Sequence, residues 1–256
     1  MPSLSYKPRP RGGHWPSRLV WLTLIALLVS VALMAGSGPI YRLEWLSLGE
    51  SFSLLRRGAQ LAIGTLALGL LALLVALVCR RWRLALASLL IAMAAAALVS
   101  LPLQLQQMGR TVPPIHDITT DTTNPPAFET LAPARKAAPN AVDYPGEATA
   151  RQQQRAYPQL GPLTLKLPLA QVRALAESTA RDQGWEIASV NDHRIEATAA
   201  TRWFGFKDDV VVRLTETSQG VRVDVRSASR LGKSDLGTNA ARIQTYLEAL
   251  EARNRG

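Results

Sequence analysis

Three apolar runs, Leu19 to Gly36, Ala59 to Val78 and Leu84 to Leu103, constrain this chain more than anything else in its 256 residues. Each approaches the roughly 20 apolar residues that cross a bilayer as a helix, and none holds an ionisable side chain. The sequence predicts three transmembrane helices whose Thr23, Ser30, Thr65, Ser88 and Ser100 hydroxyls bond back to helix carbonyls. Pathways for ions or substrates normally leave a charge inside the membrane, so anchoring is the expected role. Ser88, Ala92, Ala96 and Ser100 give the third helix a small-residue face, for packing on its neighbours or for homo-oligomer contacts.

The formal charge of +10 would suggest nucleic acid if it were spread over the chain. It is not: residues 1–110 hold 11 basic and 2 acidic side chains, and residues 111–256 hold 18 and 17. Lys7, Arg9, Arg11 and Arg18 precede the first run, and Arg80, Arg81 and Arg83 fill the loop between the second and third. By the positive-inside bias both clusters are expected in the cytoplasm, with everything after Leu103 outside. Arg56 and Arg57 oppose this but are outnumbered, and Glu44 and Glu50 lie in the same loop. The expectation is a multi-pass protein of a bacterial inner membrane with a periplasmic C-terminal domain, its partners the bilayer and not nucleic acid. Residues 1–37 also resemble a signal peptide ending at Ala35-Gly36-Ser37, but the apolar stretch is long enough for an uncleaved anchor. The lone cysteine, Cys79, leaves the exported domain without a disulfide.

The chain divides into a basic tail (1–18), three helices (19–103), a Pro-rich linker (104–162) and a folded domain (163–256). Nine prolines keep the linker extended or turning. One stretch, Ile115-His116-Asp117-Ile118-Thr119-Thr120-Asp121 followed by Pro125-Pro126-Ala127-Phe128, mixes apolar and acidic residues as a strap laid on the domain would. From Leu163 the periodicity predicts an α+β fold, β-α-β-β-β-β-α, an antiparallel sheet covered on one face by two helices. The elements are a strand at Leu163–Leu167, a helix after Pro168, strands at Trp185–Val190, Arg194–Trp203, Asp209–Glu216 and Val221–Ser227, and a helix from Thr238 to Ala252. Alternation puts Val210, Val212 and Leu214 with Val221, Val223 and Val225 on one face. Arg213 and Asp224 then oppose each other on the other, a pair worth about 0.2–1 kcal/mol. That polar face is either solvated or the place where the strap docks.

The densest polar stretch runs from Arg226 through Ser227, Ser229, Arg230, Ser234 and Asp235 to Asn239 and Arg242. Gly232-Lys233-Ser234 resembles part of a phosphate loop, but Ser227 stands where the full motif needs glycine, which rules out nucleotide hydrolysis. A Gly- and Ser-rich turn feeding a helix start suits an anion such as a lipid phosphate. The alternative is a capped helix whose arginines pair with Asp117, Asp121, Asp208 or Asp209. A strap and polar-face cluster of His116, Asp117, Asp121, Asp208, Asp209 and Arg213 is the other candidate, since His116 with Asp117 or Asp121 could act as an acid and base. No metal or cofactor is expected, and no Gly-x-Ser-x-Gly elbow offers a nucleophile. Trp203-Phe204-Gly205-Phe206 is either a lipid-facing tip or core folded over the sheet edge.

Residues 114–250 resemble the bacterial family catalogued as domain of unknown function 1499. The resemblance is carried by Ile115–Asp121 with Pro125-Pro126-Ala127-Phe128, Trp185, Arg194–Thr198, Phe206–Arg213, Asp224–Arg230, Ser234–Gly237, Asn239 and Arg242-Ile243. It implies no activity, cofactor or catalytic residue, but it implies that the His116 strap and the Arg226–Asn239 loop form one unit with the sheet. The leading expectation is a non-enzymatic envelope protein whose exported domain binds a partner protein or an anionic envelope component. The alternative is an exported hydrolase or lyase using His116 with Asp117 or Asp121.

Overall fold

The computed structural model describes residues 12–255, so Lys7, Arg9 and Arg11 of the basic tail lie outside the described residues. The chain forms two compact units that divide between Gln106 and Gln107.

The first unit is built from α1 (Trp15–Arg42), α2 (Leu48–Val78) and α3 (Trp82–Thr111), each long and apolar enough to cross a membrane. The helices outrun the apolar runs because helix-forming residues continue past the lipid-soluble segment. A capping box starts α2: Ser47 Oγ accepts from Glu50 N, and Glu50 returns a carboxylate to Ser47 N. Close packing depends on small residues, with Gly58 against Met34 and Gly69 against Ala92. Ser88 and Ala92 of the small-residue face are buried within the unit, whereas Ala96 is exposed. Thr23, Ser30, Thr65 and Ser100 bond to carbonyls three or four residues back, and Ser88 Oγ is buried without a partner.

The second unit starts earlier than the sequence predicts. Before the strand at Leu163 come β1 (Asp117–Thr119), α4 (Ala132–Lys136) and α5 (Glu147–Ala156), all in the stretch read as linker. After them come β2 (Leu163–Leu165), α6 (Leu169–Asp182), β3 (Glu186–Val190), β4 (Arg194–Ala200), β5 (Lys207–Thr217), β6 (Gly220–Ser229) and α7 (Thr238–Arg255). The domain boundary therefore moves from 163 to 107, because the proline-rich chain is ordered by what it touches and not by a period of its own.

All strand pairs are antiparallel, in the order β1-β6-β5-β4-β3, and β2 also pairs with β6. Thus β1 and β2 share one edge of β6: Asp117 lies opposite Ala228 and Leu165 opposite Val221. Gly220 closes the β5–β6 turn at φ +126, where a Cβ would come within 2.4 Å of the Leu165 carbonyl oxygen. No other residue fits there. That turn brings Arg213 opposite Asp224.

Helices α6 and α7 cover the face carrying Val210, Val212, Leu214, Val223 and Val225. The two helices are joined by Tyr246, whose ring stacks on Trp185 at 4.8 Å and whose hydroxyl donates to Ala176 O at 2.9 Å. The opposite face carries the polar residues, and the strap and α4 lie over it, adding a small cluster of Phe128, Leu131, Val211 and Ala228.

Candidate functional site

Strand alternation divides the polar stretch that the sequence presents as one. Arg226 shares a face of β6 with Asp224, and Arg230, the first residue past the strand, joins that face by donating to Asp209, while Ser227 and Ser229 project from the other face. Two separate networks result.

On the strap face, Arg226 donates from Nε and Nη2 to both oxygens of Asp117, at 2.9 and 2.8 Å. It also donates to the carbonyls of Pro126 and Val142, so one guanidinium gathers β1, the end of the strap and the chain between α4 and α5. Arg135, fully buried at 0% exposure, donates to Asp209 at 3.2 Å and to the carbonyls of Ala228 and Ala141. The Phe128 ring meets both guanidiniums, with Arg135 at 4.7 Å and Arg226 at 4.8 Å from its centre. Asp209 holds a second arginine, Arg230, through two hydrogen bonds of 2.9 and 2.8 Å, which raise that guanidinium above its ordinary value. It also accepts from Thr198 Oγ1. Glu196, mid-strand in β4, accepts the backbone N–H groups of Glu129, Thr130 and Leu131.

At the far end of this face, Arg213 and Arg222 are shared between Asp121 and Asp224. Burial opposes the charge on Asp121. The N–H groups of Asn124 and Thr123, with Arg222 and Arg213, outweigh it and hold the carboxyl below its ordinary value. Gln153 of α5 behaves as a strand partner, donating to Thr119 O and accepting from Thr119 N. Tyr144 lies 5.7 Å from Arg226 with a buried hydroxyl that bonds to nothing. Burial and the Asp117 carboxylate push that hydroxyl up to about 12, against the pull of Arg226.

The second network centres on Asn239 in the first turn of α7. Its Oδ1 accepts from Ser227 Oγ at 2.7 Å and from Arg242 Nη1, and its Nδ2 donates to Ser229 Oγ and His116 O. Arg242 reaches Asp208 at 2.6 Å. Asp235 caps the helix by accepting from Gly237 N and Asn239 N, and burial raises its carboxyl above the ordinary range. Ser234 Oγ accepts from Leu236 N.

The arginines of the Arg226–Arg242 stretch therefore end on carboxylates of their own domain: Arg226 on Asp117, Arg230 on Asp209 and Arg242 on Asp208. An anion taken up there would have to displace a carboxylate already in place. His116 is half-buried, its Nδ1 makes no hydrogen bond, and Asp117, the next residue in extended chain, faces the opposite way toward Arg226. Asp121 is likewise committed to Arg213 and Arg222. Among the described residues no three His, Cys, Asp or Glu side chains converge as metal ligands would.

Two open grooves border these networks. A groove of about 520 Å³ between the ends of α6 and β4 and the first turns of α7 is lined by Trp185, Ala199, Leu236 and Arg242. Another of about 490 Å³ lies beside the β3–β4 turn, with His193, Arg194, Arg213 and Glu216. Both fall in the range of small-ligand clefts.

Arg135, Glu196, Gln153 and Tyr144 are the residues that sequence reasoning misses. Arg135 and Tyr144 sit in aperiodic chain, where nothing local announces burial. Glu196 has a legible sign: Arg194, Glu196 and Thr198 alternate with Ile195, Ala197 and Ala199 in a strand too apolar to be at the surface.

The family described as protein of unknown function (DUF1499) matches residues 117–250. The match opens at the first residue of β1 and closes within α7, so it takes in the strap together with the sheet. No curated protein matches the chain.

Proposed function

This chain belongs to the DUF1499 family, and on that premise we propose that it is a non-enzymatic, membrane-anchored envelope protein. In this reading three spans hold it in the inner membrane of a bacterium. The α+β domain stands outside the cytoplasm and binds a partner protein or an anionic envelope component.

The observation that carries the non-enzymatic reading is the pairing of charge. Asp117, Asp121, Asp208 and Asp209 each hold arginine inside the domain, so they are spent on architecture. A poised acid or base keeps a reacting position open, and these carboxylates have none. Orientation is supported by seven basic residues around the first span and the second loop, against Arg42, Arg56 and Arg57 on the other side with Glu44 and Glu50 beside them.

Single cysteines test the placement in full-length protein carrying Cys79→Ser. Lys233→Cys should react with a membrane-impermeant maleimide on intact spheroplasts, and Arg83→Cys only after permeabilisation. The reverse pattern would place the domain in the cytoplasm and remove the envelope role.

A further inference from the structure

The β4–β5 connector is a hydrogen-bonded turn built around aromatic rings. Thr201 closes it by accepting from Gly205 N through its carbonyl and from Phe206 N through Oγ1, while its own N–H donates to Phe206 O. Gly205 takes φ +69, which suits glycine. Phe204 is buried and stacks on Phe206 at 5.1 Å, and Trp203, tilted against Phe204 at 5.6 Å, is 39% exposed. The turn therefore presents one edge of a tryptophan at the surface.

Its place in the sheet gives that tryptophan a context. Asp117 pairs with Ala228, Ala228 with Asp209, and Asp209 with Thr198, so the β4–β5 turn lies at the end of the sheet where the chain enters β1. The loop after β6 is at the same end, because Arg230 N donates to Lys207 O. Arg202, Lys207 and Lys233 are exposed there, with Glu186 as an exposed acid beside them. The opposite end, at residues 166, 191–193 and 217–220, exposes one base, Lys166, against two acids, Asp192 and Glu216, and has no Phe, Trp or Tyr. Within one domain, aromatic and basic character gathers at the end by which the chain arrives from its last apolar helix.

Tryptophan favours the headgroup level of a bilayer, where its ring meets both apolar and polar surroundings. Basic side chains beside it match anionic lipid. We propose that the Thr201–Phe206 turn is a bilayer-contact element: the exposed edge of Trp203 sits among the headgroups of an anionic phospholipid surface, and Lys207 and Lys233 meet its phosphates. This names the anionic component of the binding reading above and rests on the membrane anchor, but not on which side of the membrane the domain occupies.

The test uses full-length Cys79→Ser protein in vesicles of phosphatidylcholine, with or without phosphatidylglycerol, spin-labelled at Ala200→Cys beside the turn or at Ser218→Cys at the opposite end. Collision with oxygen relative to a water-soluble nickel chelate reports lipid exposure. The Ala200 label should be the more lipid-exposed, more so with phosphatidylglycerol, and Trp203→Ala should bring it down to the Ser218 value. Trp203→Phe should retain part of the signal. Each basic side chain near an anionic surface is worth about a fivefold change in partitioning, so Lys207→Glu should erase most of the phosphatidylglycerol effect. An Ala200 label no more lipid-exposed than the Ser218 label in either lipid overturns the proposal. So does lipid exposure that survives Trp203→Ala. A cytoplasmic domain in the maleimide experiment would leave this readout unaffected, so the two readings fail separately.

Discussion

One sheet, two faces: α6 and α7 close the first over valine, isoleucine and leucine, and the strap closes the second over arginine, aspartate and glutamate. The apolar face gains from area removed from water and tolerates approximate geometry. The ionic face gains only where each charge meets its partner at the right distance, since desolvating both ions can cost as much as their attraction returns. The first face supplies stability. The second supplies position, because Arg226 accepts only one arrangement of Asp117, Pro126 and Val142 around it. A segment whose apolar residues are few and interrupted by acids is thereby held in one register across the sheet.

The comparison predicts unequal responses to truncation. Asp209→Ala should be the most damaging single change, at about 3–5 kcal/mol, because it leaves buried Arg135 and Arg230 without their carboxylate. Urea unfolding of the full-length chain in detergent, followed by near-ultraviolet circular dichroism, would report it. The combination Asp117→Leu with Arg226→Met should be less damaging than either change alone, since it removes both ions together. If the double change is worse than both singles, the strap face is not governed by charge pairing. On the apolar face, Ile243→Ala should cost about 3 kcal/mol by leaving a cavity under α7, measured in the same unfolding experiment.

These two faces were not equally legible. Val210, Val212 and Leu214 against Val221, Val223 and Val225 announce the apolar face, because a period of two is a local signal. The ionic face depends on partners far apart in the chain: Arg226 lies 109 residues from Asp117, and Arg135 lies 74 from Asp209. No window of neighbouring residues contains that information. The stretch around Ile115–Phe128 was readable as a strap from its mixture of apolar and acidic residues, but α4, α5 and the role of Arg135 were not. The candidate site was misleading for a related reason. The predicted strand stops at Ser227 and leaves Ala228 and Ser229 to a turn, yet β6 continues through Ser229. Alternation along β6 sends Arg226 and Ser227 to opposite faces, so they cannot serve one ligand.

Smaller effects sharpen how the strap is held. Gln153→Ala should cost about 2 kcal/mol, because the buried N–H and carbonyl of Thr119 lose the amide that completes them. Backbone hydrogen exchange at Thr119 should accelerate in this variant while exchange in β5 does not. Asp121 predicts a mild acid dependence. Its carboxyl is held below the ordinary value in the folded protein, so its contribution is present above the unfolded value of about 3.9 and is lost as pH falls. The pairs it makes are partly exposed, which limits the effect to less than about 1 kcal/mol. Comparing wild type with Asp121→Asn between pH 7 and pH 3 isolates it, and Asp121→Asn should flatten that part of the stability profile.

Tyr144→Phe is the smallest change and the most discriminating. The ring belongs to the cation-π contact with Arg226, which phenylalanine keeps, whereas the hydroxyl is buried without a partner. If the ionic face is held by Arg226 and Asp117 and not by a wider polar web, removing that hydroxyl should leave stability at neutral pH unchanged or raise it by about 0.5 kcal/mol. The same substitution should change the alkaline limb. Because the folded-state hydroxyl is pushed up to about 12, folding loses stability as pH rises past the ordinary value near 10, where the unfolded chain can ionise and the folded one does not. Unfolding followed at pH 7 and pH 11 would show Tyr144→Phe gaining more on wild type at the higher pH. A loss at neutral pH would mean that the hydroxyl has a partner in solution, and that the strap is tied down by more than its salt bridges.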